Sequence, residues 1–437
     1  MVKMDFASYN RLDDPGYSAL ARGGMKRLHI GQFTNTYKPV LSGVVRSVSS
    51  FRQALSDMGH NVFIFAQSPS GKYEEEEPFV FHYPAMEIPA YKYPMNIPVS
   101  RTIDNVFPSL KLDVVHAHHP AGIGKVGANK AKEYGLPLVF THHTRYREYA
   151  EYVSLVPKNI SEMVIGNWLI DFMSNCHHVI VPSETIKASL TDSYGITDRV
   201  TVMPTGIDLT PYRKADGTAV RAKHGWKKDQ RIILSMGRLA NVKNWPLLID
   251  AAQIVLAKHP DVRFALIGDG PERDSLEKQV KKLAIADRFE FVGRIPYEDV
   301  PSYLKAGDLF VYASTTETQG LVTLEALAAG LPVVAVDASG TNETVEDGVD
   351  GLLTANDHQA LAEAIDRVLS DETLYHELQL AAKAKAESWD IKVLSQKLLD
   401  IYAQATEDQK AGRTMKMDRK KTVFDIHWRD FFQTAEE

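Results

Sequence analysis

From residue 27 to residue 336, short apolar runs alternate with stretches of helical periodicity, and the pattern is laid down twice. A strand covered on both faces reads as a continuous apolar run, and its parallel neighbour is reached only through a crossover, so the alternation demands parallel sheets wrapped in helices. Runs at 28–32, 61–66, 113–117, 137–141 and 178–182 predict a first sheet, with Val44, Val48, Phe51, Leu55 and Met58 at helical spacing between its first two strands. A second set follows Pro204, Thr205 and Gly206, at 231–236, 263–268, 289–293, 309–313 and 332–336. Pro246 stands where a helix over 247–258 would begin, a position that tolerates a missing N–H. After 336 the sequence reads as helical up to Trp389. The fold class is therefore α/β, with one parallel-sheet domain over 25–205 and a second over 206–388. Residues 1–24 show no period and read as a flexible extension; 389–437 read as a terminal helix and tail.

Composition narrows the function. Lys and Arg number 50 against 56 Asp and Glu, a net charge of -6, so the chain lacks the positive field of non-specific nucleic-acid binding. A single cysteine, Cys176, allows neither an intramolecular disulfide nor a zinc–thiolate site. No apolar stretch reaches the roughly 18 residues of a membrane span, and the N-terminus lacks the pattern of a signal peptide, so a cytoplasmic protein is expected.

The sharpest local signal is a pair of glutamates, Glu317 and Glu325, between the run at 309–313 and a helical stretch that starts near Gly320 and Leu321. In a parallel sheet the loop after a strand's carboxyl end opens on the ligand crevice, and the helix that follows offers free backbone N–H groups to a phosphate. Glu325 could then accept hydrogen bonds from a vicinal diol; two solvated surface glutamates would show the same spacing. Arg238 and Lys243 follow the strand that ends at Gly237, where they could neutralise a diphosphate or stand as solvated loop cations. His116, His118 and His119, with His142 and His143 after the next run, could hold zinc, but no further spaced carboxylate and histidine ligands follow as a metal-dependent hydrolase requires. Gly122, Gly124 and Gly127 spell G-x-G-x-x-G, the fingerprint of an NAD-dependent oxidoreductase. The next run, however, ends in Thr141, His142 and His143 rather than in an acidic ribose ligand.

Taken in order, Thr36-Tyr37-Lys38-Pro39-Val40-Leu41-Ser42-Gly43-Val44, Asp113-Val-Val-His-Ala-His118, Pro204-Thr-Gly-Ile-Asp208, Gly237-Arg238-Leu-Ala-Asn-Val-Lys243-Asn244, Gly268-Asp-Gly-Pro271, Val292-Gly-Arg294 and the glutamate pair resemble the retaining glycosyltransferases of family four. The resemblance runs from residue 26 to about 405 and implies the GT-B fold: two Rossmann-like domains facing a central cleft, with a C-terminal helix crossing back to the first. It implies that Arg238 and Lys243 bind the pyrophosphate of a nucleotide sugar, Glu325 its ribose, and Glu317 and His118 the donor sugar. The backbone around Arg294 and Ile295 would rim the nucleobase, and His116 would be buried support. Gly43, Gly237, Gln319, Gly320 and Leu321 complete the implied donor site, with Gly43 letting phosphate approach the backbone. The implied catalytic set is His118, Glu317, Arg238 and Lys243. Transfer with retention would proceed by front-face attack, a donor phosphate oxygen assisting acceptor deprotonation. Arg238 and Lys243 would stabilise the departing diphosphate, so no metal is obligatory and a divalent cation would at most stimulate. A degenerate GT-B scaffold without activity would not need this complete set.

Gln319, within 316–321, and the stretch 140–152 are similar to the diacylglycerol glucosyltransferases, which implies UDP-glucose as donor and 1,2-diacylglycerol as acceptor. A lipid acceptor requires an enzyme that works peripherally at the inner face of the cell membrane, held by cations and aromatic side chains at an anionic surface. Arg145, Tyr146, Arg147, Tyr149 and Tyr152, with Trp168 in the apolar segment 163–173, offer one such surface. The tail offers another: six basic residues against one acidic between Lys410 and Lys421, then Phe424, Trp428, Phe431 and Phe432. The apolar segment could equally be a core helix, the tail aromatics could pack on the first domain, and the acceptor could be a sugar phosphate, a glycan or a small alcohol.

Overall fold

The computed structural model describes residues 26–40, 42–69, 73, 75, 77–86, 95–143, 158–317, 320–338 and 340–416. They form two compact units, divided between Met203 and Pro204 and again between Leu394 and Ser395, so that the first unit is built from two separate stretches and the second from one.

In the first unit, β1 (His29–Thr34), β2 (Asn61–Gln67), β3 (Val80–Tyr83), β6 (Val114–Ala117), β7 (Leu138–Thr141), β8 (His178–Val181) and β9 (Val200–Val202) form a parallel sheet in the order β3-β2-β1-β6-β7-β8-β9. A small antiparallel pair, β4 (Ala85–Met86) and β5 (Met95–Asn96), stands apart from it. The helices are α1 (Gly43–Asp57), α2 (Arg101–Val106), α3 (Ile123–Tyr134), α4 (Lys158–Ser174) and α5 (Glu184–Tyr194). Ser42 and Ser183 start α1 and α5 by accepting a hydrogen bond from the backbone N–H three residues on. The core is rich in phenylalanine, with Phe33 stacked on Phe65 at 4.4 Å and Phe65 on Phe81 at 5.2 Å.

The second unit has β10 (Arg231–Met236), β11 (Val262–Ile267), β12 (Phe289–Gly293), β13 (Leu309–Tyr312), β14 (Val333–Val336) and β15 (Gly351–Thr354), in the order β12-β11-β10-β13-β14-β15. Around it lie α6 (Thr210–Lys214), α7 (Thr218–His224), α8 (Trp245–Lys258), α9 (Arg273–Lys282), α10 (Val300–Lys305), α11 (Leu321–Ala329), α12 (His358–Ser370) and α13 (Glu372–Ser388). Its core is mainly aliphatic, with Ile232, Ile233, Leu234, Val333, Val334 and Val336 fully covered. The last helix, α14 (Ile391–Lys410), begins among residues of the second unit and continues into the first, where Leu398, Tyr402 and Ala405 are buried.

Five strands were not expected: the short pair β4 and β5, the edge strands β3 and β9, and β15. The edge strands β3 and β9 are only partly buried and too polar to read as apolar runs. The stretch after residue 336 is not continuous helix, because β15 adds a sixth strand there; Gly351 permits it, since a Cβ at that position would stand 2.4 Å from the Val333 carbonyl oxygen. The start of the basic tail is folded: Met415 is buried with its N–H donating to the Cys176 carbonyl at 2.9 Å, and Arg413 pairs with Asp408 at 2.8 Å. Phe424, Trp428, Phe431 and Phe432 lie outside the described residues. Strand order reverses beside β1 and β6 in the first sheet and beside β10 and β13 in the second, and crevices at such reversals are where α/β sheets bind ligands.

Candidate active site

At the reversal of the second sheet, the loop after β10 carries Gly237, Arg238 and Lys243. The loop is pinned along its length. The Gly237 N–H donates to the Ile267 carbonyl at 2.9 Å, and Trp245, 1% exposed at the start of α8, donates its indole N–H to the Arg238 carbonyl at 2.9 Å. Asn244 sits in the left-handed region (φ 57) and donates from Nδ2 to the Ala313 carbonyl at 3.2 Å and to Asn356 at 2.8 Å. Beneath the loop, Gly268 (φ 141) is required outright, because a Cβ there would lie 1.9 Å from the Gly237 carbonyl oxygen. Arg238 is exposed.

Lys243 ends a short turn that delivers its ammonium to Oε1 of Glu317. The same oxygen accepts hydrogen bonds from the Tyr312 hydroxyl at 2.7 Å and from Ser314 at 2.8 Å. Burial pushes the Glu317 carboxyl up, but the Lys243 and Tyr312 hydrogen bonds and the Lys243 charge prevail and hold it below its ordinary value, so it is a carboxylate at neutral pH. Tyr312 is pushed up by burial and by the Glu317 charge and stays a phenol. All the hydrogen bonds that Glu317 accepts among the described residues fall on Oε1, which leaves Oε2 for a ligand.

Gly320 caps α11 with φ 56; a Cβ there would stand 2.8 Å from the Gly340 carbonyl and 2.9 Å from Thr344 Oγ1. Leu321 opens the helix, whose free N–H groups belong to the same loop as Glu317. Glu325, the fifth residue of α11, is 2% exposed and accepts from the Tyr297 hydroxyl at 3.1 Å. Arg294 follows β12 and is exposed, with Ile295 half-buried against the core. Gln319 lies outside the described residues. Tyr312, Ser314, Trp245 and Tyr297 were not expected from the sequence; the one available signal was for Ser314, a polar residue two positions past the buried end of β13.

The reversal of the first sheet is built differently. His118, after β6, is 2% exposed; its Nδ1 lies 2.9 Å from Nε2 of His143, and its ring lies 4.3 Å from that of His116. His116 is structural, hydrogen-bonded to the Tyr402 hydroxyl at 2.8 Å and to Thr141 at 2.7 Å. Nδ1 of His119 accepts the Asn35 backbone N–H at 3.1 Å. Burial pushes His116 down to about 3 and His119 and His142 to about 4, and holds His118 and His143 well below the ordinary imidazole value with help from the neighbouring rings. Among the described residues no group of three or more His, Cys, Asp or Glu is arranged to hold a metal ion.

Gly43 opens α1 in open space, with nothing within 4 Å of where a Cβ would stand, so packing within the first unit does not demand glycine there. The G-x-G-x-x-G is consumed by packing: a Cβ on Gly124 would lie 1.6 Å from the His119 carbonyl, one on Gly127 would lie 2.6 Å from Phe33, and the first N–H of α3 already donates to Asn35 Oδ1 at 2.8 Å. Arg145, Tyr146, Arg147, Tyr149 and Tyr152 fall outside the described residues. Trp168 is half-buried on α4, whose Leu169, Phe172 and Met173 are spent in the core, so that face of the apolar segment is not a docking surface.

Two family models match in series, "Glycosyltransferase Family 4" over residues 41–211 and "Glycosyl transferases group 1" over 216–386. The chain is 30% identical over 387 residues to the alpha-monoglucosyldiacylglycerol synthase of Acholeplasma laidlawii, covering 86% of this chain and 96% of the relative. It is also 30% identical over 354 residues to the synthase of the same name from Streptococcus pneumoniae (strain ATCC BAA-255 / R6), covering 78% and 79%. Among solved structures, Anabaena Alr3699/HepE in complex with UDP and glucose matches with a TM-score of 0.63 over 86% of this chain and 100% of that one, at 22% identity, a likeness of fold. These matches leave no place for the oxidoreductase, hydrolase or scaffold readings. The two family models in series and the 30% identity over most of both chains show the family: the chain belongs to glycosyltransferase family 4, has the GT-B fold and is a retaining glycosyltransferase.

Proposed function

We propose that the protein transfers glucose from UDP-glucose to 1,2-diacylglycerol, with retention, at the inner face of the cell membrane. The observation that carries the donor half is the Lys243–Glu317 ion pair beside the glycine-capped start of α11. Arg238, exposed, and Lys243 receive the diphosphate, and the N–H groups of α11 add to them where charge accumulates on departing UDP. Their combined charge makes a metal dispensable. Glu317 offers Oε2 to the sugar hydroxyls, and Glu325 accepts from the ribose diol. His118 contacts the sugar, as the family resemblance implies. An oxygen of the donor phosphate takes the proton of the attacking acceptor hydroxyl on the same face from which UDP leaves.

The acceptor half is supported by the two synthases, named for monoglucosyldiacylglycerol. No helix among the described residues is long and apolar enough to cross a membrane, and in this reading Arg145, Arg147 and the tyrosines at 146, 149 and 152, with the tail from Lys410 to Phe432, serve the anionic surface, each cation contributing about 1 kcal/mol. The test is a transfer assay with UDP-glucose and phosphatidylglycerol vesicles, with and without diacylglycerol. Glucosylated lipid and UDP release that both depend on diacylglycerol are expected. UDP release with sugar phosphates or glycans alone would move the acceptor to the soluble class, and absence of UDP binding by calorimetry would end the donor reading.

A further inference from the structure

We propose that His143 is a positioning residue that fixes the hydrogen-bonding state of His118: Nε2 of His143 donates to Nδ1 of His118, and Nε2 of His118 is thereby kept as an N–H donor for a hydroxyl oxygen of the transferred hexose. The inference deepens the proposed function, resting on His118 as a sugar contact. The two rings lie 5.2 Å apart at 26° with the 2.9 Å nitrogen contact between them. His116, on the other side of His118, has both ring nitrogens engaged by Tyr402 and Thr141, and His119 uses Nδ1 for the Asn35 N–H, so neither orients His118. Nε2 of His118 is buried and has no hydrogen-bond partner among the described residues. A buried polar nitrogen left open in this way costs stability unless a ligand meets it.

The direction of the bond follows from imidazole chemistry. If His143 donates from Nε2, both rings adopt the Nε2–H form that neutral histidine prefers in water; the opposite direction would force both into the less favoured Nδ1–H form. Protonation does not intervene, because burial and the neighbouring rings of His116, His119 and His142 disfavour a cation on either partner. The consecutive pair His142 and His143 thus divides its work: His142 is buried at the end of β7, and His143 turns to the site.

The test compares wild type with His143→Phe, which keeps the ring and removes the bond, and His143→Gln, whose side-chain amide can donate from the position of Nε2. Nitrogen-15 histidine spectra of the unliganded full chain should show His118 in the Nε2–H form in wild type and His143→Gln, and mixed tautomers in His143→Phe. With UDP-glucose and vesicles of phosphatidylglycerol and diacylglycerol, His143→Phe should lose about tenfold or more in kcat with KM for UDP-glucose nearly unchanged, and His143→Gln should recover most of it. An Nδ1–H signature at His118 in wild type, unchanged kcat in His143→Phe, or equal losses in both variants would overturn the proposal. If His143→Phe does not fold, the wild-type spectrum and His143→Gln decide. If wild type neither binds UDP nor transfers glucose, the proposed function falls, while the spectra still judge the histidine pair.

Discussion

The two sheets reverse their strand order at the same topological place, yet the loops there are made of opposite electrostatics. In the first unit, His116, His118, His119, His142 and His143 are crowded together as neutral rings, kept so by burial. In the second, an ionised Lys243–Glu317 pair and the exposed Arg238 hold full charges within reach of a helix N-terminus. Neutral donors and acceptors with fixed direction suit uncharged sugar hydroxyls, whereas preorganised cations suit a leaving group that gains negative charge. On the proposed function, one topology would serve in one half to recognise uncharged sugar hydroxyls and in the other to manage the leaving group's charge.

The largest test of that division is Lys243→Ala, expected to lower turnover by about 10²–10³-fold, the scale of losing one transition-state charge stabiliser, while lowering thermal stability only modestly. Turnover within about threefold of wild type would remove Lys243 from the chemistry. Next, Glu325→Gln should weaken UDP-glucose binding by about 1.5–3 kcal/mol, the worth of a charge-assisted hydrogen bond, read by calorimetry. Unchanged affinity would mean that the Tyr297–Glu325 contact is merely structural.

Acid should separate the halves. His119 and His142 titrate near 4 in the folded chain and near 6.5 when unfolded, so between those values the unfolded state binds more protons and stability falls on acidification, by about 1.4 kcal/mol per pH unit for each. Glu317 behaves in another window: the Lys243 and Tyr312 hydrogen bonds and the Lys243 charge outweigh burial and hold its carboxyl below the ordinary value, so its stabilisation is present above the ordinary carboxylate range and is lost only as the pH falls through that lowered value. Hydrogen exchange at pH 7 and pH 5 should show protection lost first in the first unit; earlier loss in the second would break the comparison. The smallest effect is Tyr402→Phe, which strands Nδ1 of His116 and should cost about 1 kcal/mol, visible as a lowered melting temperature.

Central strands were legible because their burial is continuous: β10 and β13 read as apolar runs, while β3, β9 and β15 are short, half-exposed or glycine-led and carry no period. The positions of Lys243 and Glu317 were legible as motif residues, but their contact was not, since 73 intervening residues must fold before ammonium meets carboxylate. Tyr312, Ser314 and Trp245 escaped for the same reason, acting on the site only through the tertiary arrangement. The glycines at 122, 124 and 127 misled because tight packing of a helix on a strand and a nucleotide turn call for the same small residues.

Because the first unit draws Tyr402 and Met415 from beyond residue 394, whereas the second is an unbroken stretch from Pro204, the order of synthesis is not the order of completion. On the ribosome the second unit has its whole chain available before its predecessor receives the last helix, and until then the His116 imidazole waits without the phenol that satisfies its Nδ1.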